Sequence, residues 1–175
     1  VMDDSGDTFV APDFTLESGV VLPNAQVRYN TFGTLNKARD NVVVVCHALT
    51  GNARLDEWWG QMLGPGNHFD TDKYFIVCAN VLGSCYGSTG PQSINPVTGL
   101  VYGMDFPDVT IRDTVALHSR MIFEGIGARR IHCVVGGSMG GMQALEWAIQ
   151  CEERVRGAVI IGCGAEHTAW QIAIS

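Results

Sequence analysis

Apolar positions fall along this chain in two rhythms. "NVVVVCHALTGN" (41–52), "KYFIVCANVLG" (73–83), "IHCVV" (131–135) and "VRGAVIIGC" (155–163) contain unbroken runs rich in β-branched residues. Such runs predict strands buried on both faces, as in a parallel sheet. The expected strands are Val42–Cys46, Tyr74–Ala79, Ile131–Val135 and Val155–Ile161. Two other stretches repeat at helical spacing. "TIRDTVALHSRMIFEGIG" (110–127) places Val115, Met121, Ile122 and Ile126 on one face and stops at Gly127, the expected C-cap. "MGGMQALEWAIQC" (139–151) does the same with Met142, Leu145 and Ile149.

Upstream, "FTLESGVVLPNAQVRYNTFG" (14–33) alternates around a Ser-Gly pair and predicts a hairpin of Phe14–Leu16 with Val27–Phe32. Residues 1–12 are acidic and polar and read as a flexible lead-in, leaving residues 13–175 as one domain. Alternating strands and helices predict a doubly wound α/β fold with a mostly parallel sheet. The glycine-rich stretch Leu82–Gly103 fits neither rhythm and is expected to be an irregular loop, a length that usually carries function.

The 175 residues suffice for one domain with a core, and 46% apolar with 17% charged residues is ordinary for a soluble protein. A net charge of −7 argues against nucleic acid or an anionic membrane surface as a partner. Arg129-Arg130 is the only adjacent basic pair and reads as a solvated helix end. No stretch reaches the length of a membrane-spanning helix. Of the six cysteines, Cys46, Cys78, Cys133 and Cys163 sit in or beside the apolar runs, where buried free thiols belong; Cys85 and Cys151 complete the set. Without a signal peptide or a cysteine-dense pattern, a reducing, cytoplasmic setting is expected. No cysteine or histidine spacing suits zinc, so no metal is expected. The chain opens on valine and closes on "TAWQIAIS", and it is expected to be part of a longer protein.

Candidate chemistry centres on Gly136-Gly137-Ser138-Met139-Gly140, a G-x-S-x-G sequence. Alone it is a weak signal. Here it follows a buried strand and opens an amphipathic helix, the setting in which a serine stands strained at the apex of a strand-to-helix turn. Ser138 is the expected nucleophile, helped by the free amides and dipole of the helix N-terminus. A phosphate loop fits less well, because no Lys-Ser/Thr or G-x-G-x-x-G follows. A serine nucleophile generates an oxyanion. One donor should be the Met139 N–H; the Leu49 N–H, in the loop after the first buried strand, is the expected second. His47 shares that loop but precedes the serine, and a structural hydrogen bond suits it better than catalysis.

Together "NVVVVCHALTGNA", "NVLGSCYGSTGP", "TIRD" and "GGSMGGMQALEWA" resemble the homoserine O-acetyltransferase family, acyltransferases on the α/β-hydrolase fold, from about Phe14 onward. The resemblance implies an α/β-hydrolase fold lacking its later strands and lid, and a ping-pong transfer from acetyl-CoA to the hydroxyl of L-homoserine in methionine biosynthesis. Ser138 would be the nucleophile, and Leu49 and Met139 the oxyanion donors. No bound cofactor is implied; acetyl-CoA is a co-substrate. The family's Asp and His lie well downstream of the serine, so this chain would be nearly inert alone. His167, the sole histidine after Ser138, comes too early for that role. Family members commonly dimerise through the lid, which leaves dimerisation of this chain open. Succinyl transfer, a different acceptor alcohol, ester hydrolysis on the same fold, and a non-enzymatic fragment that pairs with another chain remain the competing readings.

Overall fold

A computed structural model describes residues 6–174. Its main sheet has six strands: β1 (Asp7–Ala11), β4 (Ala25–Phe32), β6 (Phe75–Ala79), β5 (Val42–Cys46), β7 (Ile131–Gly137) and β8 (Ala158–Ile161), in that spatial order. The first two joins, β1 to β4 and β4 to β6, are antiparallel. From β6 through β8 the strands are parallel neighbours, which is the arrangement expected of the four apolar runs.

Why those runs lack alternation is visible in β5. Val42, Val44 and Cys46 enter the core that packs against the two long helices, while Val43 and Val45 enter the core on the other face, with Leu55, Phe69 and Ile76. Both faces are dry, so both sets of positions are apolar. The long helices are α2 (Ile111–Arg120) and α3 (Met139–Gln150). The first starts with a reciprocal cap: Thr110 accepts from the Asp113 amide at 3.0 Å and Asp113 accepts from the Thr110 amide at 3.0 Å. It ends sooner than its apolar spacing suggests. After Arg120 the chain widens into a π-helical turn, Met121–Gly125, and Gly127 at φ +76° follows as the stop. A methyl group on Gly125 would strike the Phe9 ring at 2.6 Å, so β1 and this turn are fitted to each other.

Three expectations need correction. Residues 7–11 are not a flexible lead-in: they pair with β4 from Asp7–Tyr29 to Ala11–Ala25. The part of that lead-in at residues 1–5 lies outside the described residues. Phe14 does not pair with Val27–Phe32 either. The Ser18-Gly19 turn closes tightly, with the Gly19 amide donating to the Leu16 carbonyl at 2.9 Å. That turn sets the partners of β2 (Phe14–Thr15) as β3 (Val21–Leu22). A second reversal at Pro23-Asn24, where Asn24 has φ +54°, frees β4 for the main sheet. Finally, the Val155–Ile161 run is regular strand only from Ala158, and Val159, Ile160 and Ile161 are exposed because β8 is the last strand among the described residues.

All six cysteines are free thiols. Cys46 and Cys78 are buried as expected, whereas Cys133 and Cys163 are only half-buried. Among the described residues no helix is long and apolar enough to cross a membrane, and no three His, Cys, Asp or Glu side chains converge as a metal site would require.

Candidate active site

Ser138 occupies the single residue between β7 and α3, at φ +55° and ψ −123°. A side-chain-bearing residue is strained there, and such strain persists only where the surroundings enforce it. They do so through backbone approach. A methyl group on Gly136 would sit on the Gly140 carbonyl, and one on Gly140 would sit on the Cys46 carbonyl. The strand end, the helix start and the end of β5 therefore touch main chain to main chain. The Ser138 amide donates to the Ile161 carbonyl at 3.0 Å, and the Ser138 carbonyl accepts from the Gly141 and Met142 amides at 2.9 and 3.1 Å. With its backbone held on both sides, the exposed hydroxyl stands at the helix N-terminus, where amides lack intrahelical acceptors.

Ser138 opens onto a cavity of about 660 Å³. Its walls include Ala48 and Thr50 from the loop after β5, Trp58 and Trp59 from α1 (Leu55–Trp58) and the residue after it, and Gly162 beyond β8. Leu49 lies between two wall residues, and Met139 follows Ser138 as the first residue of α3. The two expected donors thus belong to the two segments that meet at the serine.

His47 holds this loop rather than facing the cavity. It is buried, its Nδ1–H donates to the Ala48 carbonyl at 2.7 Å, and its Nε2 accepts from the Val81 amide at 3.3 Å. Both nitrogens are occupied in the neutral ring, and burial lowers its pKa against the opposing pull of the Ala48 bond. Gln143 of α3 donates to the His47 carbonyl at 3.2 Å, tying loop to helix. His118 is also buried, donates to the Asn80 carbonyl at 3.1 Å, and is pushed by burial down to about 4. His167 is exposed in the loop between β8 and α4 (Ala169–Ile174), away from the cavity wall. None of the five histidines lines the cavity.

Sequence reasoning passed over three participants. Asn80 anchors the loop from behind, accepting the Ala53 amide at 2.8 Å and donating to the Tyr86 carbonyl at 2.8 Å. Trp58 and Trp59 meet at a tilt, 4.9 Å between centroids, and form the cavity's aromatic side, with Trp58 Nε1 donating to the Asn52 carbonyl at 3.1 Å. Adjacent tryptophans beside a glycine, a few residues beyond a buried strand, were the available signal.

Residues 41–174 match the family model described as the α/β hydrolase fold. Across all of this chain, a homoserine O-acetyltransferase of Chlorobaculum parvum is 49% identical, with 49% of its own length covered. One from Trichormus variabilis is 51% identical over 93% of the chain and 45% of its own length. Among solved structures, esterase E22 superposes with a TM-score of 0.84 at 36% identity, covering 95% of this chain and 50% of its own. The homoserine O-acetyltransferase of Bacillus anthracis superposes at 0.78 with 36% identity, over 87% of this chain and 44% of its own. The chain spans about half the length of the curated relatives it matches.

Proposed function

The chain belongs to the α/β-hydrolase fold family, and from that premise we propose that it forms the nucleophile-bearing half of a homoserine O-acetyltransferase. Ser138 attacks the thioester carbonyl of acetyl-CoA, and the CoA thiol leaves. The acetyl-serine then meets the hydroxyl of L-homoserine, which takes the acetyl group and returns the serine. The observation that carries the chemistry is the enforced Ser138 conformation at the mouth of the cavity. The substrate assignment is supported by identity near 50% to relatives of that name. Methionine biosynthesis and a cytoplasmic location are the setting that assignment brings with it, and the full-length protein is proposed to dimerise.

In this reading the Leu49 and Met139 amides stabilise the oxyanion of each tetrahedral intermediate; one such donor is worth ~10²–10³ in rate. No described histidine stands at the cavity wall, and in this reading the general base is supplied by the part of the full-length protein beyond the half matched here. A positioned base contributes ~10²–10⁴. The loop held by His47 and Asn80 and the strained serine are preorganised without it.

Intact-mass measurement after incubation with acetyl-CoA tests this, on this chain and on the full-length protein, each beside Ser138→Ala. An added acetyl group on wild-type full-length protein alone is expected, with little or none on the 175-residue chain. Acetylation that persists in Ser138→Ala would overturn the reading. Ester hydrolysis is the second reading, favoured by the superposition on esterase E22. It is separated by the fate of the acetyl-enzyme: release to water as fast without homoserine as with it would make the protein an esterase.

A further inference from the structure

Seven of the eleven Lys and Arg residues lie at the end of the sheet opposite Ser138; Lys73 is paired with Asp70 at 2.9 Å, and the other six are Lys37, Arg39, Arg129, Arg130, Arg154 and Arg156. No sequence window contains them, because they come from three segments that only the fold joins. The joint is a backbone one. Arg39 sits at φ +58°, and its carbonyl accepts from the Arg129 amide at 2.7 Å and the Arg130 amide at 3.3 Å. The Ile131 amide donates to the Arg154 carbonyl at 2.8 Å, and the Arg156 amide returns to the Ile131 carbonyl at 3.0 Å. Arg129-Arg130 is therefore not a helix end but the lead into β7, with a second basic segment on each side.

Arg129, Arg130 and Arg154 line a concavity of about 500 Å³ together with Asp40 and Glu153. Arg154 is steadied by stacking 4.4 Å over the Phe123 ring. Among the described residues none of the six cations forms an ion pair. In a chain of net charge −7, this is a local reversal of sign with no internal neutralisation by contact.

We propose that this concavity is a binding site for a small oligophosphate, separate from the Ser138 cavity. The seven residues of β7 hold the two about 20 Å apart. Guanidinium forks match phosphate oxygens two at a time and do not titrate away. The volume suits a small ligand rather than an extended chain. Asp40 and Glu153 in the same wall set a threshold: a monoanion gains little against them, and a ligand with several linked phosphates reaches all three guanidinium groups.

The test is calorimetric titration at low ionic strength with tripolyphosphate, ATP and inorganic phosphate, on wild type and on Arg129→Gln/Arg130→Gln. Saturable one-to-one binding of tripolyphosphate is expected, at least tenfold tighter than inorganic phosphate and at least tenfold weaker in the double variant. Arg154→Gln should cost about threefold. Arg54→Gln, which removes the same charge at the other end of the sheet, should change nothing. Equal affinity for ATP and tripolyphosphate would make the phosphate chain the whole ligand; tighter ATP would add its nucleoside. No saturable binding, or an equal loss in Arg54→Gln and the double variant, would overturn the proposal.

Discussion

The side-chain oxygen of Asn80 accepts the Ala53 amide at 2.8 Å, a buried bond that joins the end of β6 to the loop walling the serine cavity. The same residue donates to the Tyr86 carbonyl, and its own carbonyl accepts from Ser88 Oγ at 2.8 Å and from His118. Two loops and a helix thus share one side chain and its peptide. Asn80→Ala should strand the Ala53 amide and lower stability by about 1–3 kcal/mol. Urea unfolding checks this, and reaction of Ser138 with a serine-directed fluorophosphonate in the full-length protein should slow in the same variant.

Ser138 carries strain that glycine would not. A residue held at such φ and ψ stores about 1–3 kcal/mol, and glycine gives part of that back through its flexible unfolded chain. Ser138→Gly is expected to unfold about 1 kcal/mol later than wild type while losing all acetylation. Ser138→Ala keeps the strain and should match wild type within about 0.5 kcal/mol. Equal stability of the Gly and Ala variants in urea would remove strain from the account of this bend.

Gly140, in α3, and Gly157, in the non-helical segment just before β8, contrast in the space around them. Alanine ordinarily stabilises a helix by about 1 kcal/mol over glycine. At Gly140 the added methyl would sit on the Cys46 carbonyl, and neither backbone can yield without moving the serine. Gly140→Ala should cost at or above the about 1–3 kcal/mol usual for overpacking. Gly157 has open space around its missing side chain, and Gly157→Ala should lie near zero. Thermal unfolding of the two variants side by side is the measurement.

What could be read in advance divides along physical lines. The Val42–Cys46 run was legible because burial on both faces removes all polar residues from it, and Gly136 and Gly140 were legible because backbone contact forbids a side chain. The pairing of β1 with β4 was not. Its polar positions Asp7 and Thr8 face solvent and look like a tail; only the partner strand makes them a strand. The arginine concavity was equally hidden, since Arg39, Arg129 and Arg154 come from three segments far apart in sequence that meet through backbone hydrogen bonds. Asn80 gave no signal either, because an asparagine after a strand is ordinary until its partners are known.

His118 supplies the pH dependence. It is buried in the neutral state, with its pKa pushed by burial from 6.5 down to about 4. Between those values the unfolded chain binds a proton that the folded chain does not, so stability rises with pH through this window. The contribution is full above pH 6.5, falls as the pH drops toward 4, and amounts to about 3 kcal/mol across the window. His47 is shifted in the same direction by burial and adds to the slope. His118→Gln preserves a donor for the Asn80 carbonyl but carries no proton to titrate. Its urea midpoint should therefore fall much less than that of wild type between pH 7 and pH 5, with His47 accounting for the remainder. Parallel pH profiles for the two proteins would mean that His118 is protonated in the fold and that its ring does not donate to Asn80 as a neutral group.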